Sequence, residues 1–157
     1  MTNTAVICDT GALLDYLAAR APDHRAFREA IDRSRARYVP GLVLAEVDYF
    51  LRRERAAMRA LIGDLRRGAF TYAAPTLDLL HRAMEIDRQY ADLDLGLVDS
   101  TVIALAEELG VRRLATRDLR DFSAIRFADG SGFEFVVEPR RPERGRQRGS
   151  FRSWRRS

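Results

Sequence analysis

Two aspartates stand where predicted strands end. Residues 5–8 form a short apolar run that stops at Asp9, and a second predicted strand, residues 113–116, is followed by Asp118. A short apolar run bounded by a turn is typical of a strand buried on both faces of a parallel sheet. Because ligands bind at the carboxyl ends of such strands, we expect Asp9 and Asp118 to face one crevice.

Two more acids interrupt apolar helix faces. Glu46 has apolar neighbours at helical spacing on both sides, which are Leu42, Val43, Tyr49 and Phe50. Asp99 heads a predicted helix whose apolar positions three, four and seven residues later are Val102, Ile103 and Ala106. We expect both faces to turn inward, and burying a lone carboxylate costs several kcal/mol. The sequence therefore predicts that each acid has a partner.

Each acid also has a simpler interpretation. Glu46 can lie at the margin of its stripe and pair with an Arg, Asp99 can cap its helix, and Asp118 can serve as a turn residue. Asp121 is a weaker candidate than Asp118. The convergence of four acids on one end of one sheet favours a shared site over these separate roles.

A group of carboxylates stays ionised only with cations, because each raises the pKa of its neighbours. Oxygen ligands without a His or Cys set suit Mg²⁺ or Mn²⁺, not Zn²⁺. The two His residues are isolated, and the single Cys8 lies within the apolar run. We therefore predict a metal site for Mg²⁺ or Mn²⁺ formed by Asp9, Glu46, Asp99 and Asp118.

The predicted elements that position these acids alternate along the chain. Strands are expected near 5–8, 38–39, 69–74, 113–116 and 133–137, the last at a sheet edge, with helices between them. Gly68 and Gly110 end two of the helices. The alternation indicates an α/β fold in which helices cover both faces of a parallel sheet.

Length and composition limit the classes of protein to which the chain can belong. A chain of 157 residues fits one domain, and we expect it to be cytoplasmic, with no membrane span. All 27 basic residues are Arg, so a P-loop NTPase and a Schiff-base enzyme, which both need a Lys, are excluded.

Residues 140–157 contain eight Arg and one Glu, which leaves a net charge of −3 on residues 1–139. We expect residues 139–157 to be a disordered tail.

Four motifs in order resemble the PIN domain, and within it the VapC toxins of bacterial toxin–antitoxin operons. They are residues 7–13 (ICDTGAL), 43–47 (VLAEV), 97–106 (LVDSTVIALA) and 115–122 (ATRDLRDF). The similarity extends from about residue 5 to residue 138, so we assign residues 1–138 to a PIN domain. The Arg-rich tail is not part of the family pattern.

The resemblance implies a three-layer α/β/α sandwich with a five-stranded parallel sheet. It also implies Mg²⁺- or Mn²⁺-dependent endoribonuclease activity on structured RNA, in a tRNA or rRNA loop, with homodimerisation and neutralisation by a cognate VapB-type antitoxin. By motif position, catalysis and metal binding fall to Asp9, Glu46, Asp99 and Asp118. Supporting roles fall to Thr10, Ser100, Thr116 and Asp121.

An acidic body must still bind a polyanion. We expect Arg112, Arg113, Arg117 and Arg120, which neighbour Asp118 in sequence, to hold RNA phosphates on the rim of the site. The expected reaction is hydrolysis by water, which leaves a 5′-phosphate. Two other functions stay open, a noncatalytic PIN-like RNA-binding protein and a PIN-like structure-specific DNA nuclease.

Overall fold

A five-stranded sheet forms the centre of the chain in the computed structural model, which describes residues 5–140. Its strands are β1 (Ala5–Cys8), β2 (Ala36–Pro40), β3 (Thr71–Ala73), β4 (Arg113–Ala115) and β5 (Glu134–Phe135). All neighbours pair in parallel, in the order β3-β2-β1-β4-β5. The predicted parallel sheet, with its first strand in the middle and its last at an edge, is confirmed. The prediction of a disordered tail falls on residues that, apart from 139 and 140, lie outside the described range.

Seven α-helices connect and cover these strands. They are α1 (Thr10–Leu17), α2 (His24–Asp32), α3 (Gly41–Phe50), α4 (Arg55–Arg66), α5 (Leu77–Gln89), α6 (Gly96–Leu109) and α7 (Leu119–Phe122), with a short 3-10 helix at Ala91–Leu93. The hydroxyl of Thr76 accepts a hydrogen bond from the backbone N–H of Leu79 at 3.0 Å and so caps α5. Gly110 ends α6 at a φ of 66°, as expected of a left-handed cap.

The burial of β1 shows that helices cover both faces of the sheet. Val6, Ile7 and Cys8 have no exposed surface, although successive strand residues point to opposite faces. The predicted α/β/α layering is therefore confirmed. Burial also raises the pKa of the Cys8 thiol to about 12, so this cysteine packs as a small apolar residue. Within residues 5–140, no helix has both the length and the apolar character to cross a bilayer.

The register sets two strand exits side by side. Ile7 of β1 pairs with Leu114 of β4, and Cys8 pairs with Ala115. The backbone N–H of Asp9 then donates to the carbonyl oxygen of Ala115 at 2.9 Å. The loops that leave β1 and β4 therefore begin at the same level, at the carboxyl edge of the sheet.

Gly41, the first residue of α3, makes a close backbone approach. A Cβ at this position would lie 2.5 Å from Cδ of Pro75 and 3.0 Å from the hydroxyl oxygen of Tyr72. The start of α3 therefore packs directly on the chain that leaves β3. Since α3 carries Glu46, this contact helps to fix the position of that carboxylate.

We expect Gly41→Ala and Gly63→Ala to change stability in opposite directions. At Gly41 the new methyl overlaps a rigid proline ring, so the free energy of unfolding should fall by about 1–3 kcal/mol. At Gly63 in α4 the nearest atom is Nη1 of the flexible Arg67 side chain, at 3.2 Å, and helix propensity should raise stability by about 0.5–1 kcal/mol. Urea unfolding of the full chain measures both changes. Equal shifts in the same direction would contradict this account of Gly41.

Candidate active site

Thr116 joins the exits of β1 and β4. Its hydroxyl donates to Oδ2 of Asp9 at 2.8 Å and accepts from the backbone N–H of Asp118 at 3.0 Å. Thr116 is almost fully buried, and Asp9 keeps only 7% of its surface exposed. The hydroxyl therefore orients the Asp9 carboxylate and holds the loop that carries Asp118. This placement agrees with the supporting role expected for Thr116.

A second threonine joins Glu46 to the same edge of the sheet. The hydroxyl of Thr10, the residue after Asp9, donates to Oε1 of Glu46 at 2.7 Å. Thr10 is buried at the start of α1, and Glu46 is half-buried in α3. The residue after Asp9 thus positions Glu46 through a hydrogen bond, although Asp9 and Glu46 are far apart in sequence.

The expectation that the whole apolar face around Glu46 turns inward is wrong. Val43 and Val47 are buried, but Tyr49 is 48% exposed and Phe50 is 38% exposed. Helical spacing of apolar residues shows only that a face avoids water. It does not distinguish a face that packs in the core from a face that another molecule covers.

Three further carboxylates lie together. One oxygen from each of Asp99, Asp118 and Asp121 lies within 4.8 Å of the others, and all three residues are half-buried. We name these three aspartates the acid group. Asp99 is in the first turn of α6, whose N-cap is Leu95, so Asp99 is not the capping residue. Of the four predicted acids, this group contains Asp99 and Asp118. Asp9 and Glu46 are not in the group and are joined to the same edge of the sheet through Thr116 and Thr10.

Asp118 also caps α7. Its Oδ1 accepts the backbone N–H of Asp121 at 3.3 Å, so the turn role considered for Asp118 is real and does not conflict with a place in the acid group. An N-cap side chain that accepts from the backbone N–H of the third helical residue lies close to that residue. This spacing explains why Asp121, the weaker candidate from sequence, joins the group.

The acid group fits a hard divalent cation. Oxygens bound to Mg²⁺ at about 2.1 Å lie about 3–4 Å from one another, so a separation of up to 4.8 Å needs only small side-chain movements. The buried hydroxyl of Ser100, next to Asp99, has no hydrogen-bond partner in the described part of the chain. A group of three carboxylates without His or Cys suits Mg²⁺ or Mn²⁺.

Arg117 forms an ion-pair cluster that sequence reasoning missed. Its guanidinium contacts Asp15 on α1 and Asp23 before α2, the latter at 2.8 Å, and both acids are largely buried. Burial raises the pKa of the Asp15 carboxyl above its usual value, and the Arg117 charge opposes part of that rise. A Cβ on Gly11 would lie 3.0 Å from Cγ of Arg117. Arg117 therefore clamps its loop onto α1, a contact that does not correspond to the rim position expected for RNA binding.

Arg112 and Arg113 lie at the amino end of β4, opposite the end where the acids converge. The Arg112 guanidinium stacks 3.6 Å from the ring centre of Phe127. Arg113 donates to the carbonyl oxygen of Ala5 at 3.2 Å and to the Ser34 hydroxyl at 3.0 Å. Arg112 and Arg113 are close to Asp118 in sequence, but the length of strand β4 separates them from the acids in space.

Arg120 is the fourth arginine of the expected rim. It is exposed and lies in α7 between Asp118 and Asp121. RNA binding by these four arginines stays a prediction, and Arg120 is the one whose exposure and position support it.

Comparison with known proteins agrees with this geometry. The profile of the PIN domain family matches residues 6–128. The chain belongs to the PIN-domain family. Over 134 residues this PIN domain protein is 35% identical to Ribonuclease VapC26 of Mycobacterium tuberculosis, a match that covers 83% of this chain and 99% of that protein. The resemblance to VapC proteins is confirmed.

Solved structures show the same PIN fold. VapC20 of Mycobacterium tuberculosis, described as a sarcin–ricin loop cleaving toxin, aligns with a TM-score of 0.66 at 21% identity, over 76% of this chain and 94% of that one. A toxin–antitoxin complex from Klebsiella pneumoniae aligns with a TM-score of 0.61 at 21% identity, over 76% and 92%. VapBC2 from Rickettsia felis, bound to a promoter DNA fragment, aligns with a TM-score of 0.62 at 14% identity, over 84% and 98%.

We expect Arg117→Met to destabilise the PIN domain far more than Arg82→Met. The first change leaves Asp15 and Asp23 largely buried without their cation, which should cost about 3–5 kcal/mol. The second removes an ion pair with Glu107 in which both side chains are more than a third exposed, worth about 0–1 kcal/mol. Thermal and urea unfolding compare the two. Similar losses from both variants would show that the Arg117 cluster has no special role in the fold.

Proposed function

We propose that the chain is a VapC-like, Mg²⁺- or Mn²⁺-dependent endoribonuclease toxin that hydrolyses a phosphodiester in structured RNA, in a tRNA or rRNA loop. One observation carries the proposal, which is the convergence of acids from four separate segments. Asp99, Asp118 and Asp121 share one oxygen-lined space, and two threonine hydroxyls tie Asp9 and Glu46 to the same edge. The similarity to a protein named a ribonuclease supports the same activity.

The chemistry follows from the donor set. When bound, the divalent ion supplies positive charge for the phosphate oxygens and lowers the pKa of water near the scissile bond. The carboxylates Asp9, Glu46, Asp99 and Asp118, with Asp121, would hold that ion, and one of them would accept the proton from the attacking water. The acid group contains no His, so a carboxylate is the base available there. Attack by water on phosphorus leaves a 5′-phosphate on one product and a 3′-hydroxyl on the other.

The hydroxyl groups prepare the acids for this role. Thr116 keeps one oxygen of Asp9 in place and Thr10 keeps one oxygen of Glu46 in place. A carboxylate that is already oriented loses little conformational freedom when it binds the ion or the water. Ser100 offers a further buried hydroxyl beside Asp99. This placement supports the expected supporting roles of all three residues.

We also propose two protein partners, a VapB-type antitoxin and a second copy of this chain. The exposed large apolar side chains support a protein interface, and they include Tyr49, Phe50, Tyr72, Leu77 and Leu97. Tyr49 and Phe50 lie on α3, the helix that carries Glu46. A partner that covers this face would therefore lie close to Glu46. We place the activity in the cytoplasm, where RNA and antitoxin meet the protein.

We expect Asp99→Asn to reduce RNA cleavage by more than about 100-fold, which exceeds the usual effect of removing an outer hydrogen-bond partner of a metal ligand. Glu108→Gln, an exposed change on the same helix, should leave cleavage unchanged. The measurement is the mapping of new 5′ ends in total RNA incubated with Mg²⁺ or Mn²⁺, with EDTA as the metal-free control. Unchanged cleavage by Asp99→Asn would favour a noncatalytic RNA-binding protein.

The same samples test the reaction and the substrate. Products should carry a 5′-phosphate, and 2′,3′-cyclic phosphate ends would contradict attack by water. Single-stranded and duplex DNA should stay intact under conditions that cleave RNA. Preferential cleavage of DNA would favour the structure-specific DNA nuclease instead.

We expect Thr116→Val to lower cleavage by about 10–100-fold, whereas Thr116→Ser should keep most of it. Valine has the shape of threonine but cannot donate to Asp9 or accept from Asp118, while serine keeps the hydroxyl. Initial rates at several Mg²⁺ concentrations measure the effect, and the valine variant should need more metal for half-maximal activity. Equal metal dependence in the valine variant and the unmodified chain would count against a positioning role for Thr116.

A further inference from the structure

The connection between α3 and α4 carries a concentration of positive charge. Residues 49–60, here named the α3–α4 corner, contain four Arg and one Glu, a net charge of +3. Since residues 1–139 carry −3 in total, the rest of that range carries −6. The four arginines of the corner are all exposed, and they are Arg52, Arg53, Arg55 and Arg59. The corner is therefore a cationic surface on an otherwise acidic body.

Two of these arginines are not neutralised by a carboxylate. Arg55 pairs with Asp48 at 2.8 Å and donates to the carbonyl oxygen of Leu51 at 3.3 Å, so it fastens the start of α4 to α3. Among residues 5–140, by contrast, neither Arg53 nor Arg59 forms an ion pair. Guanidinium groups bind phosphate oxygens strongly. The corner thus has one structural arginine and two whose charge is open to an anionic ligand.

Arg52 and Tyr49 stack on each other at the same corner. The Arg52 guanidinium lies over the Tyr49 ring, 4.3 Å from its centre, and Nη1 donates to the carbonyl oxygen of Tyr49 at 2.8 Å. Tyr49 remains 48% exposed, and the Phe50 ring meets it edge to face with the ring centres 5.6 Å apart. Unpaired RNA bases stack on aromatic rings and on guanidinium planes. The stack therefore offers an ordered surface for a base, next to cations that bind phosphates.

The corner lies next to a candidate metal ligand, Glu46. Tyr49 and Phe50 follow Glu46 by three and four residues on α3, a spacing that places side chains beside one another on one helix face. Thr10, the residue after Asp9, holds Glu46 through a hydrogen bond of 2.7 Å. RNA bound at the corner would therefore pass beside Glu46.

We propose that the α3–α4 corner binds the RNA substrate, with phosphates at Arg53 and Arg59 and an unpaired base at the stack of Tyr49 and Arg52. The inference rests on the proposed ribonuclease function and adds a surface that attracts RNA to an acidic body. Of the four arginines expected on the rim of the site, three contact other parts of the fold. The corner supplies cations that the rim lacks.

Charge favours RNA over a protein as the ligand of this corner. An apolar protein surface would cover the rings of Tyr49 and Phe50 but would leave the charges of Arg53 and Arg59 without partners. RNA offers bases for the rings and phosphates for the arginines. Since the two rings also support the proposed protein interface, an antitoxin that covered them would compete with RNA for the corner.

RNA binding by two charge-matched variants tests the phosphate contacts. The probe is a fluorescent single-stranded RNA of mixed sequence, about 20 nucleotides long, in EDTA, so that binding is measured without cleavage. Arg53→Gln with Arg59→Gln should reduce the slope of log K against log salt by about 1.4, because two fewer phosphates are neutralised. Arg33→Gln with Arg35→Gln removes the same charge from exposed positions just before β2 and should leave the slope unchanged. Equal effects from both pairs, or no effect of the first pair, would overturn the proposal.

Substitutions at Tyr49 test the base contact with the same probe. Tyr49→Ala should weaken binding about tenfold at constant salt, because a stacking ring is lost, and should leave the salt slope unchanged. Tyr49→Phe keeps the ring and should bind RNA as the unmodified chain does. Tyr72→Ala removes a ring of similar exposure, 50%, near Gly41 at the other end of α3, and should have no effect. Equal losses from Tyr49→Ala and Tyr72→Ala would contradict base stacking at the corner.

Sedimentation velocity distinguishes RNA from a second copy of the chain as the ligand. The oligomeric state should be the same for the unmodified chain and for Arg53→Gln with Arg59→Gln. If this variant instead dissociates an oligomer and keeps the RNA affinity of the unmodified chain, the corner is an interface between copies and the proposal is wrong.

Cleavage of total RNA distinguishes this proposal from the proposed function. With Mg²⁺, Arg53→Gln with Arg59→Gln should cut at the same positions with a higher KM and an unchanged kcat, because ground-state binding alone is weakened. If the variant cleaves RNA with the KM of the unmodified chain, the role of the corner is refuted and the ribonuclease function stands. If neither protein cleaves RNA but the substitutions weaken RNA binding, the ribonuclease function fails and RNA binding by the corner stands.

Discussion

Repulsion among carboxylates is the constraint on which the rest of this structure depends. Asp99, Asp118 and Asp121 have oxygens within 4.8 Å of one another, and like charges at this distance repel one another. The Thr116 hydroxyl holds the backbone of the loop that carries Asp118, and a hard cation would compensate the charge of the three aspartates. The fold thus keeps three carboxylates close together although they repel one another. Such an arrangement is typical of a functional site.

A second group of charges holds the frame of the first. Arg117 binds two largely buried acids, one on α1 and one before α2, and its neighbours in sequence are Thr116 and Asp118. An ion pair of this kind is costly to break because each partner has lost its water. The same loop therefore carries an acid that faces the site and an arginine that fastens it to the helices. This division explains why Arg117, although it lies between Thr116 and Asp118 in sequence, pairs with acids of the helical layer.

Charge is distributed unevenly along the chain. The folded body is slightly acidic, whereas residues 141–157 are strongly basic, so the basic pI of the chain says little about the surface around the acid group. The hydrogen bonds of Arg140 with Asp23 and Arg117 connect these two parts.

The sequence by itself determined the α/β class, the order and type of nearly every element and the central place of β1, because hydrophobic periodicity and turn residues act locally. It also singled out Asp9, Glu46, Asp99 and Asp118 as candidates. Tertiary structure decided which side chains meet. Contacts between distant segments decide three features of this structure. Tyr49 and Phe50 are exposed, Asp121 joins the acid group, and Arg117 pairs with Asp15 and Asp23. Such contacts follow from register and packing, which a local pattern does not specify.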